Sequence, residues 1–290
     1  MDSTLPLYNT MSIVFNQSIP KDVSIDLYDN MNSYGLYYLK LLSSKDIYIQ
    51  NNEKQNRCYS HAILGLRKTF YNNEYNRRAR DSLLAPYQIP QNLTRGFRDT
   101  ILNKLKVTNR YPLKKKPKVV IIRRRSADFR RSIVNNEQVL QITKDMCPEC
   151  NVSEVDLQIL DKYGQIRFMA DVSVLIGIHG SGLAHVAWMA PSISTNPTYL
   201  IEILPYMYDC REWYNNLADS VGVNYVSIKT TSINNSVWNP QITAARSNEC
   251  HSSPEMCRRI KCHDFLRDQS VIVDIDRYKE SLQQIFQRIQ

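Results

Sequence analysis

The chain has 290 residues, a formal charge of +9, and is 43% hydrophobic and 22% charged. These proportions are those of a globular chain and exclude global disorder, while 8 Gly and 12 Pro exclude a collagen-like or low-complexity sequence. The strongest apolar run, 172–178, is far shorter than the roughly 18 residues of a membrane helix, and the first 20 residues carry no basic-then-apolar signal, so a soluble globular chain is expected.

In chain order, residues 1–57 are mixed, with short apolar runs at 12–15 and 34–42, the latter at helical spacing. Residues 46–49 read as a short strand and 58–71 as a further apolar segment. The spacing predicts a helix over 91–107, with Phe97, Ile101 and Leu105 on one face. Residues 108–117, with two prolines and a Lys114–Lys116 run, read as a linker.

From 118 the texture changes. Residues 118–122 form a continuous apolar run of the buried parallel-strand type, running into Arg123, Arg124 and Arg125. A helical stretch follows, then a strand within 151–160, a helix at 166–170 and a strand at 172–178 ending in His179-Gly-Ser-Gly182. A helix at 183–189, strand at 198–204, helix at 211–221, strand at 223–228 and helix at 276–289 complete the pattern. Strands alternating with helices predict a parallel, doubly wound α/β domain.

Open α/β sheets bind ligands at the carboxyl ends of their strands, and three chemistry-bearing stretches fall there. Arg123, Arg124, Arg125, Arg130 and Arg131 follow the first strand; guanidinium forks match phosphate oxygens, although a solvated basic turn has the same composition. His179-Gly-Ser-Gly182 lets backbone amides approach an anion at the start of a helix. It is neither the Gly-x-Ser-x-Gly of a hydrolase elbow nor a phosphate-binding Walker loop. Glu202 is an acid in an apolar strand; a pair of ribose hydroxyls would give it partners, and a strand-end surface position is the alternative. The positive charge favours anionic partners, but no aromatics interleave with the arginines as a nucleic-acid stacking surface requires, so no nucleic acid is expected.

Seven cysteines stand at 58, 147, 150, 210, 250, 257 and 262. Cys147-Pro-Glu-Cys150 has zinc or redox spacing, with Cys257, Cys262 and His263 as a loose second set; disulfides or buried thiols are the plainer reading, and no metal is expected. Asn16, Asn92, Asn151 and Asn234 open glycosylation sequons, close to the roughly three that chance supplies in such a composition.

Arg125, Arg130, Arg131, Asn135, Glu137, Gln165, the block 171–183, Pro191 and the run 200–205 together resemble the family-61 glycosyltransferases. The resemblance implies the GT-B fold: a Rossmann-like C-terminal domain over 113–290 that binds a nucleotide sugar, and an incomplete N-terminal, acceptor-side Rossmann-like domain over 1–112. Softer matches at 2–8, 41–45, 58–66, 256–259 and 272–275 lean toward the O-mannose-directed branch. They imply β-1,4 transfer of N-acetylglucosamine from UDP-GlcNAc to a protein-linked glycan with inversion, without an obligatory metal or cofactor. EGF-domain O-GlcNAc transfer, β-xylosyl transfer and a UDP-binding relic without turnover are the alternatives. Within this resemblance Arg125, Arg130 and Arg131 hold the diphosphate, His179, Gly180 and Ser181 complete its cradle, Glu202 holds the ribose, and Asp2 is the base. It also implies an endoplasmic reticulum or Golgi lumen setting, a chain that starts inside the first domain, and a membrane anchor lying outside this sequence.

Overall fold

The computed structural model describes residues 25–27, 47–49, 91–112, 116–124, 130–210, 212–238 and 244–289. Strands β1 (Ile25–Leu27) and β2 (Ile47–Ile49) pair in parallel. The second lies within the expected 46–49 strand; the apolar segments at 12–15, 34–42 and 58–71 fall outside the described residues.

The main sheet has five parallel strands in the order β4-β3-β5-β6-β7. They are β3 (Lys118–Ile122), β4 (Asn151–Val155), β5 (Val174–Ile178), β6 (Tyr199–Leu204) and β7 (Asn224–Lys229). The central strands β5 and β6 are buried at every position, which is why they read as unbroken apolar runs rather than alternating ones. The register is Val119 opposite Val174, Val174 opposite Tyr199 and Tyr199 opposite Asn224.

The pleat sends alternate side chains to two cores. On one face Val120, Ile122, Leu175 and Leu200 pack with α1 (Gln91–Lys104), α3 (Lys162–Met169), the 3-10 helix Ser181–Trp188 and α4 (Trp213–Val221). On the other, Val119, Ile121, Ile176 and Ile201 pack with α2 (Asn136–Met146) and α7 (Ile275–Ile289), which contributes Tyr278, Leu282, Ile285 and Phe286. Burying each such aliphatic side chain is worth about 1.5–3 kcal/mol. The arrangement is Rossmann-like: helices cover both faces of a parallel sheet.

Helix α1 lies on the N-terminal side of the expected boundary at 112/113, yet Phe97, Ile101 and Leu102 are buried in the sheet domain's own core. Residues 108–112 are held as well. The fully buried Arg98 donates from Nε to the Trp188 carbonyl at 3.0 Å and from Nη2 to the Arg110 carbonyl at 2.8 Å, and Asn196 donates to the Pro112 carbonyl. Helix α4 stops at Gly222, whose φ of 85° is open to glycine and whose N–H reaches the Ala218 and Asp219 carbonyls.

A third cluster follows the sheet. Helices α5 (Ala244–Cys250) and α6 (Ile260–Arg267), with a 3-10 turn at Pro254–Arg258, pack on Leu204 and Tyr208 around Met256, Phe265 and Leu266. Disulfides Cys210–Cys257 and Cys250–Cys262 fasten this lobe. Strands β8 (Ser236–Val237) and β9 (Ser270–Val271) pair antiparallel beside it. The third disulfide joins Cys147 to Cys150 just past the end of α2. A redox pair needs the opposite end of a helix, where the dipole favours a thiolate, so this bridge is a structural loop staple. All six described cysteines are paired in disulfides, the plainer of the readings their spacing allows.

Candidate active site

The chain leaves β3 to one side to form β4 and returns to the other side as β5, so the switch point of the sheet lies between β3 and β5. Ligands of open α/β sheets bind at such a point, and there Arg124, just past β3, meets Gly180 and Ser181, just past β5.

From β3 comes Arg124. Its Nη2 donates to Ser181 Oγ at 3.2 Å, and its guanidinium lies so close over Gly180 that a Cβ there would stand 2.9 Å from Nη2. The bare glycine at 180 lets the guanidinium settle against the backbone, where a Cβ would displace it. Partial burial, and then the neighbouring Arg131 charge, lower the pKa of Arg124 from its ordinary value. Two cations held near one another in a half-buried place are a setting that an anion would relieve.

Arg131 sits at φ 52°, a left-handed conformation that costs a non-glycine residue about 1–3 kcal/mol. Its Nε lies 3.4 Å from Asp268 Oδ1, and Arg130 Nη1 lies 3.9 Å from Asp268 Oδ2. Asp268 is in turn gripped by Arg267 from Nε at 2.9 Å. A cavity of about 440 Å³ lies against Arg123, Arg124 and Arg131 and against Asn135 and Asn136 at the start of α2. On its far side Arg123 pairs with Glu154 at 3.4 Å, and Asn136 Nδ2 donates to the same carboxylate.

His179, at the end of β5, and Glu202, on β6, are both withdrawn from water. Glu202 is fully buried on β6, opposite Gly177 of β5 and Ser227 of β7, small neighbours that leave it room. Its Oε1 lies 2.5 Å from His179 Nδ1, and its Oε2 accepts from Tyr225 Oη at 2.5 Å. Burial, reinforced by the Glu202 charge, raises the phenols of Tyr214 and Tyr225 above the ordinary tyrosine range, so Tyr225 remains a donor. The imidazole is 1% exposed and meets the rings of Tyr208 at 4.7 Å and Tyr214 at 5.1 Å edge-on.

The expected residues therefore separate. Arg131 lines the cavity, Gly180 and Ser181 meet Arg124 at its edge, Arg130 pairs with Asp268, and His179 is buried immediately before Gly180. Glu202 is buried with both carboxylate oxygens bonded within the protein, and in this geometry it orients His179. Arg125 and Asp2 lie outside the described residues. Arg124, not Arg125, is the described arginine on Gly180 and Ser181, and strand alternation carries the signal, since Arg124 shares the parity of Val120 and Ile122 on the His179 side. Asn135 and Gln165 serve the backbone. The Asn135 amide pairs with both Val273 N–H and C=O, and Gln165 donates to the Leu157 and Leu160 carbonyls.

An arginine-lined crevice at the end of a Rossmann-like sheet is common to many enzymes, and similarity to known proteins narrows it. The family model Glycosyltransferase 61 matches residues 27–195, more than half of the chain. The chain belongs to glycosyltransferase family 61. Similar proteins include the EGF domain-specific O-linked N-acetylglucosamine transferase of Gallus gallus, 27% identical over 228 residues, covering 76% of this chain and 40% of that protein. That of Mus musculus is 26% identical, over 77% of this chain and 41% of that protein. The alpha-1,3-arabinosyltransferase XAT3 of Oryza sativa subsp. japonica is 26% identical, over 64% of this chain and 31% of that protein. The chain thus spans about 40% of the length of the first two family relatives. Among the described residues no helix is long and apolar enough to cross a membrane.

Proposed function

We propose that the chain carries the donor half of an inverting glycosyltransferase that moves N-acetylglucosamine from UDP-GlcNAc to a protein-linked acceptor in the secretory pathway. The observation that carries this reading is Arg124 placed over Gly180 and Ser181, inside a sequence block matched by the family. The three disulfides among the described residues support an oxidising lumen such as the endoplasmic reticulum or Golgi.

In the reaction the acceptor oxygen attacks C1 of the sugar, the C1–O bond to the diphosphate breaks, and UDP departs with the bonding pair. A base takes the acceptor proton, the role proposed for Asp2. Arg124 and Arg131 face the oxygens on which the departing charge gathers, and Arg125 and Arg130 are proposed to join them. Ser181 and the backbone at Gly180 complete the cradle. Such side chains do the work of a cation at the diphosphate, so the proposed reaction has no obligatory metal.

For the acceptor, the names of the animal relatives favour an EGF-domain hydroxyl. The second reading, β-1,4 transfer to O-linked mannose, rests on the softer sequence likenesses at 2–8, 41–45, 58–66, 256–259 and 272–275. Incubation of the full chain with radiolabelled UDP-GlcNAc and either a folded EGF domain or an O-mannosyl peptide tests both. Label on the EGF domain supports the first reading and label on the peptide the second. UDP binding without transfer to either marks a binding relic, and no UDP binding by folded protein overturns the donor site.

A further inference from the structure

We infer that Tyr208 is a positioning residue for His179, held in that role by the disulfide-bonded lobe. The inference rests on the donor-site reading above and concerns how that site keeps its shape.

Tyr208 is fully buried just past the carboxyl end of β6. Its ring edge meets the His179 imidazole at 4.7 Å, and Tyr214 closes another side at 5.1 Å. Glu202 holds Nδ1, and Nε2 makes no hydrogen bond among the described residues. One polar bond and the rings of Tyr208, Tyr214 and, farther off at 6.2 Å, Trp213 therefore set the imidazole's direction. His179 also opens the turn that carries Gly180 and Ser181, its N–H bonded to the Ile203 carbonyl at 2.9 Å. Any tilt of the imidazole moves the surface under Arg124.

The lobe fixes Tyr208 from behind. Tyr208 Oη lies 2.9 Å from His263 Nε2, and His263 Nδ1 lies 3.0 Å from Asp264 Oδ1. His263 thus bridges the Tyr208 hydroxyl to the Asp264 carboxylate. The covalent frame follows the same line. Cys210, two residues beyond Tyr208, is bonded to Cys257, and Cys262, next to His263, is bonded to Cys250. Met207, just before Tyr208, sits at φ 57°, a strained conformation of the kind that persists only where surrounding structure imposes it. The lobe touches the crevice a second time through Asp268 at the end of α6, which pairs with Arg131. The segment that carries Cys250, Cys257 and Cys262 is thus a support for the proposed anion site.

Tyr208→Phe keeps the ring edge and removes the bond to His263; Tyr208→Leu removes both; His263→Asn removes the bond from the other side. Each variant and the wild type is measured for UDP affinity by calorimetry and for the imidazole nitrogen signals of His179 by NMR, assigned through His179→Gln. The expected losses of affinity are about threefold for Tyr208→Phe and His263→Asn and about tenfold or more for Tyr208→Leu, with the His179 signals displaced in the same order. A merely structural role lowers the melting temperature without ordering those signals. Unchanged affinity and unchanged His179 signals in folded Tyr208→Phe and His263→Asn overturn the inference, even if Tyr208→Leu fails to fold. Loss of UDP binding in the wild type itself overturns the donor reading instead, and the His179 signals still decide the positioning role.

Discussion

Nδ1 of His179 and Oε1 of Glu202 lie 2.5 Å apart with both side chains withdrawn from water. The pair joins β5 to β6 at their carboxyl ends, and Tyr225 on β7 completes it. Three strands therefore share one buried polar network, which ends one residue before Gly180. Such networks rigidify when satisfied and are costly when one member is removed.

Glu202→Gln tests that cost. The amide fills the same space, but it carries no charge and can present only one acceptor oxygen to two donors. A loss of about 1–3 kcal/mol in unfolding free energy is expected. Tyr225→Phe, which leaves one carboxylate oxygen bare, should cost about 1–2 kcal/mol. Denaturant melts of the two single variants and the double variant give the coupling; additive losses would mean that the two do not act as a unit.

Arg124→Ala should weaken UDP binding about tenfold or more while leaving the fold intact, because the guanidinium bonds only a surface serine among the described hydrogen bonds. Gly180→Ala should act through the same residue, since the added Cβ meets the guanidinium at 2.9 Å and must displace it. Arg124→Lys should recover part of the affinity, as a point charge without the fork. Calorimetric titration with UDP checks all three. Equal affinity in Arg124→Ala and wild type would remove Arg124 from the site.

Much of this arrangement is legible in the sequence. Strands β3, β5 and β6 are apolar runs because helices cover both faces, and the bounds expected for them differ from those observed by two residues at most. The turn at 179–182 and the arginines after β3 are recognisable because a strand end is where such residues can gather. The partner of Glu202 was not readable. An acid in a strand needs a partner, but a ribose and a histidine from the neighbouring strand satisfy it equally, and only register distinguishes them. The α5–α6 lobe was missed for another reason: its helices are seven and eight residues long, and disulfides whose pairing spacing does not reveal hold it together.

The disulfides should differ in weight. Cys210–Cys257 closes a separation of 47 residues and Cys250–Cys262 one of 12, whereas Cys147–Cys150 spans only 3. Chain-entropy arguments assign about 4 kcal/mol to the longest and about 3 kcal/mol to the next. Paired Cys→Ala replacement at 210 and 257 should therefore lower the melting temperature most, and replacement at 147 and 150 least. The reverse order would place the stabilisation elsewhere than in the lobe.

His185 gives the protein an acid-side weakness of defined sign. Its Nδ1 is buried without a hydrogen-bond partner among the described residues, and burial pushes the imidazole down to about 4 from an ordinary 6.5. The unfolded chain binds the proton near pH 6.5 and the folded chain only near 4, so stability is complete above 6.5 and falls as the pH drops through that window. The loss is on the order of 2 kcal/mol once partial exposure is allowed for. Asp264 acts lower down: the bond from His263 holds its carboxyl below the ordinary 3.8, so its contribution is lost only as the pH falls below that value. His185→Gln, which cannot take up the proton, should flatten the dependence of melting temperature on pH between 6.5 and 4 and leave the fall below 3.8 in place. An unchanged slope in His185→Gln would assign the acid sensitivity to another group.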